Sequence, residues 1–257
     1  MTEISILGSS SGHASPDRAN ASILIGLGDS LYQLDAGEGC SSSIKRNKID
    51  HSRISTIMIT HMHPDHITGL FLEIQMMHLV KRTQPLTVYL PSEAIDSVSS
   101  FMKATYLFEG NLGFEFRLRP IMPDPFFRDD NIAVYCRANT HFAKYGDIIR
   151  RAGASNQLQS YTFIVKTNDL KIIYSGDIGS VDDYSDLLPG CQVLITEGMH
   201  LNLDELFQKA SAGGVGHLVL THLLDEQYDN PREFLNLADK YGINNLHIAS
   251  DGMVLSV

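Results

Sequence analysis

The sequence predicts an α/β (α+β) sandwich of two packed sheets with helices outside, and three observations carry that reading. Short β-branched runs recur along the chain, several at hairpin spacing. Apolar residues at helical spacing interrupt those runs in both halves. A chain of 257 residues with 43% apolar and 19% charged content can also bury a core of this kind as a single domain spanning 1–257.

The first half opens with a strand near 2–7, a Ser/Gly loop over 8–20, and two strands near 21–26 and 30–34 joined at Gly28-Asp29. A β-branched run from Ser55 to Ile59 follows. Ile67, Leu70, Phe71, Ile74 and Met77 then recur at helical spacing over 67–81, so a strand runs through a loop into an amphipathic helix. Leu86 to Leu90, a helix near 92–105 and strands near 114–118 and 131–138 come next. The Pro-rich stretch with Pro120, Pro123 and Pro125 reads as a surface excursion and not as a linker.

In the second half, Tyr161 to Lys166 and Lys171 to Tyr174 flank Asn168-Asp169, a hairpin signal. Strands near 192–196, 217–220 and 245–249 then alternate with helices near 203–211 and 231–241. No repeat of fixed period, low-complexity tract or compositional break marks a boundary.

Composition excludes several classes. The opening Met1-Thr2-Glu3-Ile4-Ser5 has no basic stretch before an apolar one, and no later apolar run has the length of a membrane span, so a soluble cytoplasmic protein is expected. The cysteines, Cys40, Cys136 and Cys191, are three and far apart, which fits neither a disulfide framework nor a C-x-x-C knuckle; ordinary buried thiols are expected. A formal net charge of −10 disfavours extended nucleic-acid binding, because phosphate contacts need clustered Lys and Arg.

The central signal is Thr60-His61-Met62-His63-Pro64-Asp65-His66, between a strand and a helix. In extended backbone alternate side chains share a face, so His61 and His63 can reach one cation. Pro64 biases His63 away from helical geometry. Asp65 and His66 fall where the chain turns into the helix and can serve a second cation. Further ligands must come from the ends of other strands, and His141, Asp177 and His222 each stand just past one; the two oxygens of Asp177 could bridge both ions.

In order, the H-x-H-x-D-H run at 61–66, His141, Gly176-Asp177 and Leu220-Thr221-His222 resemble the metallo-β-lactamase superfamily, in its branch of ribonuclease Z and related cyclic phosphodiesterases. Leu34-Asp35-Ala36-Gly37-Glu38-Gly39 and Ser250-Asp251-Gly252-Met253 are similar to its early and late motifs. The resemblance implies a four-layer αββα sandwich, the metallo-β-lactamase fold. It also implies one cation on His61, His63 and His141, a second on Asp65, His66 and His222, and Asp177 with a water between them. Asp65 would also act catalytically, and Asp35 would orient ligand histidines. Two divalent ions are expected, Zn²⁺ suiting the donor set and Mn²⁺ or Fe²⁺ able to replace it. A homodimer is common among such relatives.

Paired cations activate a shared water and clamp a phosphoryl centre, which favours phosphodiester hydrolysis through a metal-bridging hydroxide. His200, in Glu197-Gly198-Met199-His200, is similar to the catalytic histidine of the phosphodiesterase branch, and Glu197 could hold its proton. His13 in the Ser/Gly loop is a candidate substrate contact. The interval between His141 and Asp177 is too short for the arm of tRNA-processing members, and the cysteine-rich zinc site of phosphonate-pathway phosphodiesterases is missing. A small or cyclic phosphodiester is therefore the expected substrate. A lactone, thioester or other ester hydrolase on the same dinuclear site, and a ribonuclease Z-like endonuclease, are the alternatives. A diiron redox protein is disfavoured because His63 is not Glu, and a noncatalytic binding module because every ligand position is competent.

Overall fold

The computed structural model describes residues 2–122 and 125–257. In chain order the strands are β1 (Thr2–Gly8), β2 (Ser22–Leu27), β3 (Ser30–Leu34), β4 (Ile54–Met58), β5 (Leu86–Leu90), β6 (Phe116–Pro120), β7 (Phe127–Arg128), β8 (Ala133–Ala138), β9 (Tyr161–Lys166), β10 (Lys171–Tyr174), β11 (Val193–Glu197), β12 (His217–Thr221), β13 (Leu246–Ile248) and β14 (Val254–Ser256). The helices are α1 (Cys40–Arg46), α2 (Pro64–Ile67), α3 (Gly69–Leu79), α4 (Ile95–Ala104), α5 (Gly146–Ala152), α6 (Leu203–Ala212), α7 (Asp225–Asp229) and α8 (Arg232–Tyr241). They fall into two compact units, one on Met1–Ile121 with Ser250–Val257 and one on Met122–Ala249.

The first unit is a seven-stranded sheet of order β14-β1-β2-β3-β4-β5-β6. Pairing is antiparallel from β14 to β3 and parallel from β3 to β6. Helices are needed to return the chain between parallel strands, and α1, α3 and α4 supply them. Their apolar stripes, including Ile44, Leu70, Ile74, Met77, Val98 and Met102, pack on Ile57, Val88 and Leu90 of the sheet. The second unit repeats the plan with order β13-β12-β11-β10-β9-β8-β7, antiparallel from β7 to β10 and parallel from β10 to β13. Leu206, Phe207 and Ala210 of α6 and Phe234 and Ala238 of α8 cover Leu194, Leu218 and Leu220.

The expected strands stand close to their predicted bounds, but hairpins make up only half of each sheet. The expected helix over 67–81 begins earlier, at Pro64, and is divided at Thr68 into α2 and α3. The boundary between the units falls at Ile121 and Met122, inside the Pro-rich stretch, of which Pro123 lies outside the described residues. Cys40 and Cys191 are buried thiols as expected, whereas Cys136 on β8 is half-buried. Among the described residues no helix is long and apolar enough to cross a membrane.

In each unit one strand pairs antiparallel on one side and parallel on the other: β3 in the first, β10 in the second. Asp35 follows β3 and Asp177 follows β10 at those positions.

Candidate metal centre

In the first unit, Asp35 leaves β3 with φ +57°, and its amide donates to the Met58 carbonyl at 2.8 Å. A non-glycine residue in left-handed backbone is disfavoured and persists only where its surroundings hold it. The buried carboxylate of Asp35 accepts from the Thr60 amide at 2.7 Å, from the Thr60 hydroxyl at 2.9 and 3.0 Å, and pairs with Nδ1 of His66 at 2.7 Å. Sequence reading proposed Asp35 as an orienting group but missed Thr60.

These bonds dictate the histidine tautomers. Asp35 only accepts, so Nδ1 of His66 carries the proton and Nε2 keeps its lone pair. The Thr60 hydroxyl gives its single hydrogen to Asp35, so Nδ1 of His61, 3.0 Å from the same oxygen, donates to it. Nε2 of His61 is likewise the lone-pair nitrogen, the form a metal requires.

His63 sits at the amino end of α2 with φ −66° and ψ 145°, the extended geometry that the following proline demands. Its ligand atom lies within 4.8 Å of that of His61, and the ligand atoms of Asp65 and His66 are within the same distance of each other. The ring centroids of His61 and His63 are 5.0 Å apart and those of His61 and His66 4.1 Å. Gly37 is required by contact: a Cβ there would lie 2.2 Å from the Asp65 carbonyl oxygen. The Ser/Gly loop also approaches, since a Cβ on Gly12 would meet Oδ2 of Asp65 at 3.1 Å; His13 beside it is exposed.

In the second unit, Asn139 joins two of the expected ligands. It donates to the Asp177 carbonyl at 3.0 Å and accepts the His141 amide at 3.2 Å. The two carboxylate oxygens of Asp177 face different rings: Oδ2 is 3.8 Å from Nε2 of His141, and Oδ1 is 3.5 Å from Nε2 of His222. His222, past β12, holds φ +57°. All three side chains are buried.

Glu197 ends β11, fully buried. One oxygen accepts the Ile178 amide at 2.9 Å; the other accepts the His200 amide at 2.9 Å and Nδ1 of His200 at 2.7 Å. The bond to Glu197 raises the His200 pKa above the ordinary imidazole value, against the opposing effect of burial. The His200 ring is one-third exposed, with its centroid 5.8 Å from that of His141 and 5.9 Å from that of His222. Two other histidines, His217 and His247, are half-buried and bonded to each other at 3.1 Å.

Each unit thus presents buried imidazole nitrogens beside carboxylate oxygens, a donor set that fits divalent metal ions. Carboxylates not used as donors are bonded to the histidines they orient.

The family described as Anti-Pycsar protein Apyc1 matches residues 2–238. A ribonuclease Z of Methanosarcina mazei is 24% identical across 100% of this chain and 98% of its own length. The human short-form tRNase Z is 21% identical with a TM-score of 0.77, covering 99% of this chain and 98% of that one. The metallo-β-lactamase fold protein YhfI of Bacillus subtilis is 19% identical with a TM-score of 0.73, covering 99% and 98%. The structural likenesses show the fold expected from sequence, the αββα metallo-β-lactamase sandwich. The expectation that extended nucleic-acid binding is unlikely gains no support here, since a relative aligned with the whole chain is a ribonuclease by name.

Proposed function

The chain belongs to the Anti-Pycsar protein Apyc1 family, and from that premise we propose that it is a metal-dependent phosphodiesterase acting on a small or cyclic phosphodiester. In this reading residues 1–257 work as one hydrolase domain, and a homodimer is the expected assembly.

The observation that carries the proposal is the Glu197–His200 pair. A buried carboxylate holds Nδ1 of His200 at 2.7 Å, which favours the imidazolium and directs Nε2–H outward. The ring stands beside Asp177 and His222 while its own Nδ1 is taken by Glu197. Such a group can give its proton to a leaving alkoxide, a need that poor leaving groups create and thioesters do not.

We assign one cation to His61, His63 and His141 and the other to Asp65, His66 and His222, with Asp177 serving both because its oxygens face different histidines. Two divalent cations, zinc most suitably, would lower the pKa of water and neutralise charge on phosphoryl oxygens. Asp35 and Thr60 keep His61 and His66 in the tautomer that donates Nε2. Asp65 is read as the group that takes the proton of the attacking water, and His13 as a substrate contact.

A second reading, a ribonuclease Z-like endonuclease, is favoured by the end-to-end alignment with the Methanosarcina mazei protein. The test is elemental analysis of the purified protein together with rates on cyclic nucleotides, ribose cyclic phosphates, bis-p-nitrophenyl phosphate, short RNA, a lactone, a thioester and nitrocefin. Metal-dependent turnover of the small phosphodiesters is expected. Preference for RNA would move the assignment to the endonuclease, and turnover confined to carbon esters would overturn both.

A further inference from the structure

Helix α3 carries an acid where its stripe requires an apolar residue. Gly69, Leu70, Ile74 and Met77 form its buried face, and Glu73 falls on that face with 0% exposure. Its Oε2 accepts from Nε2 of Gln33 at 2.9 Å and from the Cys40 thiol at 3.2 Å, both neutral; Oε1 has no hydrogen-bond partner among the described residues. Arg82 acts on it from a distance, its own guanidinium being bonded to the carbonyls of His51, Ile54, Gln84 and Pro85. Burial pushes the Glu73 carboxyl up to about 7. A leucine would avoid that cost, so the carboxyl needs a role that an apolar side chain lacks.

What Glu73 holds is Gln33, also fully buried, on β3. The Gln33 amide has two hydrogens and three acceptors: Oε2 of Glu73, the Ser22 hydroxyl at 3.2 Å and the Asp35 carbonyl at 3.2 Å. With one hydrogen fixed on Glu73, the planar amide turns the other toward Ser22 and Asp35. Asp35 is then gripped at its amide by Met58, at its carbonyl by Gln33, and at its carboxylate by Thr60 and His66. It is also the residue in left-handed backbone, where such over-determination is needed.

We propose that Glu73 is a positioning residue of the metal centre: through Gln33 it clamps the Asp35 carbonyl, and so sets the tautomer and ring orientation that His61 and His66 offer to a cation. The inference deepens the proposed function and rests on its reading of His61 and His66 as ligands.

The experiment follows the His66 tautomer by histidine-selective nitrogen NMR in metal-free protein, and Zn²⁺ affinity by chelator competition. Wild type should show a single His66 tautomer protonated at Nδ1. Glu73→Leu should mix the tautomers and weaken Zn²⁺ binding by about tenfold, the low end for a residue acting through a ligand's partner. Glu73→Gln, whose amide oxygen still accepts from Gln33, should restore both readouts. Should Glu73→Leu fail to fold, Gln33→Met keeps the volume and the Cys40–Glu73 contact while cutting the clamp, and it should give the same two changes. A variant that loses thermal stability but keeps the wild-type tautomer and affinity overturns the proposal. Failure of the wild type itself to bind Zn²⁺ would instead sink the ligand assignment, while the tautomer still decides the clamp.

Discussion

Oδ2 of Asp35 and Nδ1 of His66 lie 2.7 Å apart with both side chains buried, and the same carboxylate bonds the amide and hydroxyl of Thr60. One acid therefore governs two histidines. In Asp35→Asn the new amide would turn a donor on the Nδ1–H of His66, favouring the tautomer whose Nε2 is protonated. Metal affinity should fall by about 10- to 100-fold, read as zinc content after dialysis against a chelator. Unchanged content would remove Asp35 from the centre.

His200→Ala should keep its metal but lose at least about tenfold in rate on a substrate with a poor leaving group, or about 1.4 kcal/mol in the barrier. On bis-p-nitrophenyl phosphate, whose leaving group needs no proton, the loss should be much smaller. Glu197→Gln should lie between wild type and His200→Ala, because Nδ1 keeps an acceptor but loses the charge that favours the imidazolium. Equal losses on both leaving groups would rule out the proton-donor role.

Glu73 gives stability a pH dependence whose sign follows from its raised pKa, about 7 in the fold against 4.5 for an ordinary glutamate. Below 4.5 the carboxyl is neutral in both states and carries no penalty. From there to about 7 the unfolded chain releases the proton first, so stability falls as pH rises; above that the penalty is complete. At about 1.4 kcal/mol per unit the total is on the order of 3 kcal/mol. Urea unfolding at pH 5 and pH 8 should find Glu73→Gln gaining on wild type at the higher pH, and curves that stay parallel would contradict this.

Gly37→Ala tests the contact between the early motif and α2. Its Cβ would stand 2.2 Å from the Asp65 carbonyl and 2.7 Å from Cβ of Asn20, so backbone must move. A loss of about 1–3 kcal/mol in stability is expected, with weaker metal binding because the displaced turn carries Asp65 and His66. Differential scanning calorimetry and zinc titration would measure the two effects. A variant with wild-type values in both would mean that α2 shifts freely.

The strands were legible because their β-branched runs are bounded by turn residues, as at Gly28-Asp29 and Asn168-Asp169. Helix α1 was not: three serines in succession, Ser41 to Ser43, conceal its period, and its buried face includes two of them. Helices α5 and α7 are too short for a periodic signal, and β7 has only two residues. The parallel pairing of β3 to β6 and of β10 to β13 was also hidden, since a strand's sequence records which residues face the core better than which neighbour it pairs with.

For the candidate centre, the residue types and their positions at strand ends were readable because ligand chemistry needs particular side chains just where regular backbone stops. His61, His63, Asp65 and His66 announce themselves within one short segment, and His141, Asp177 and His222 each follow a recognisable strand. Which nitrogen of His61 and His66 carries the proton depends on Thr60 and Asp35, and the Asp35 carbonyl accepts from Gln33, two residues before it, whose amide also bonds Glu73 on α3. Local sequence determined which groups could bind a metal; tertiary contacts decided their protonation and aim, because a hydrogen bond to a ring nitrogen is made across space and leaves no mark in spacing or period.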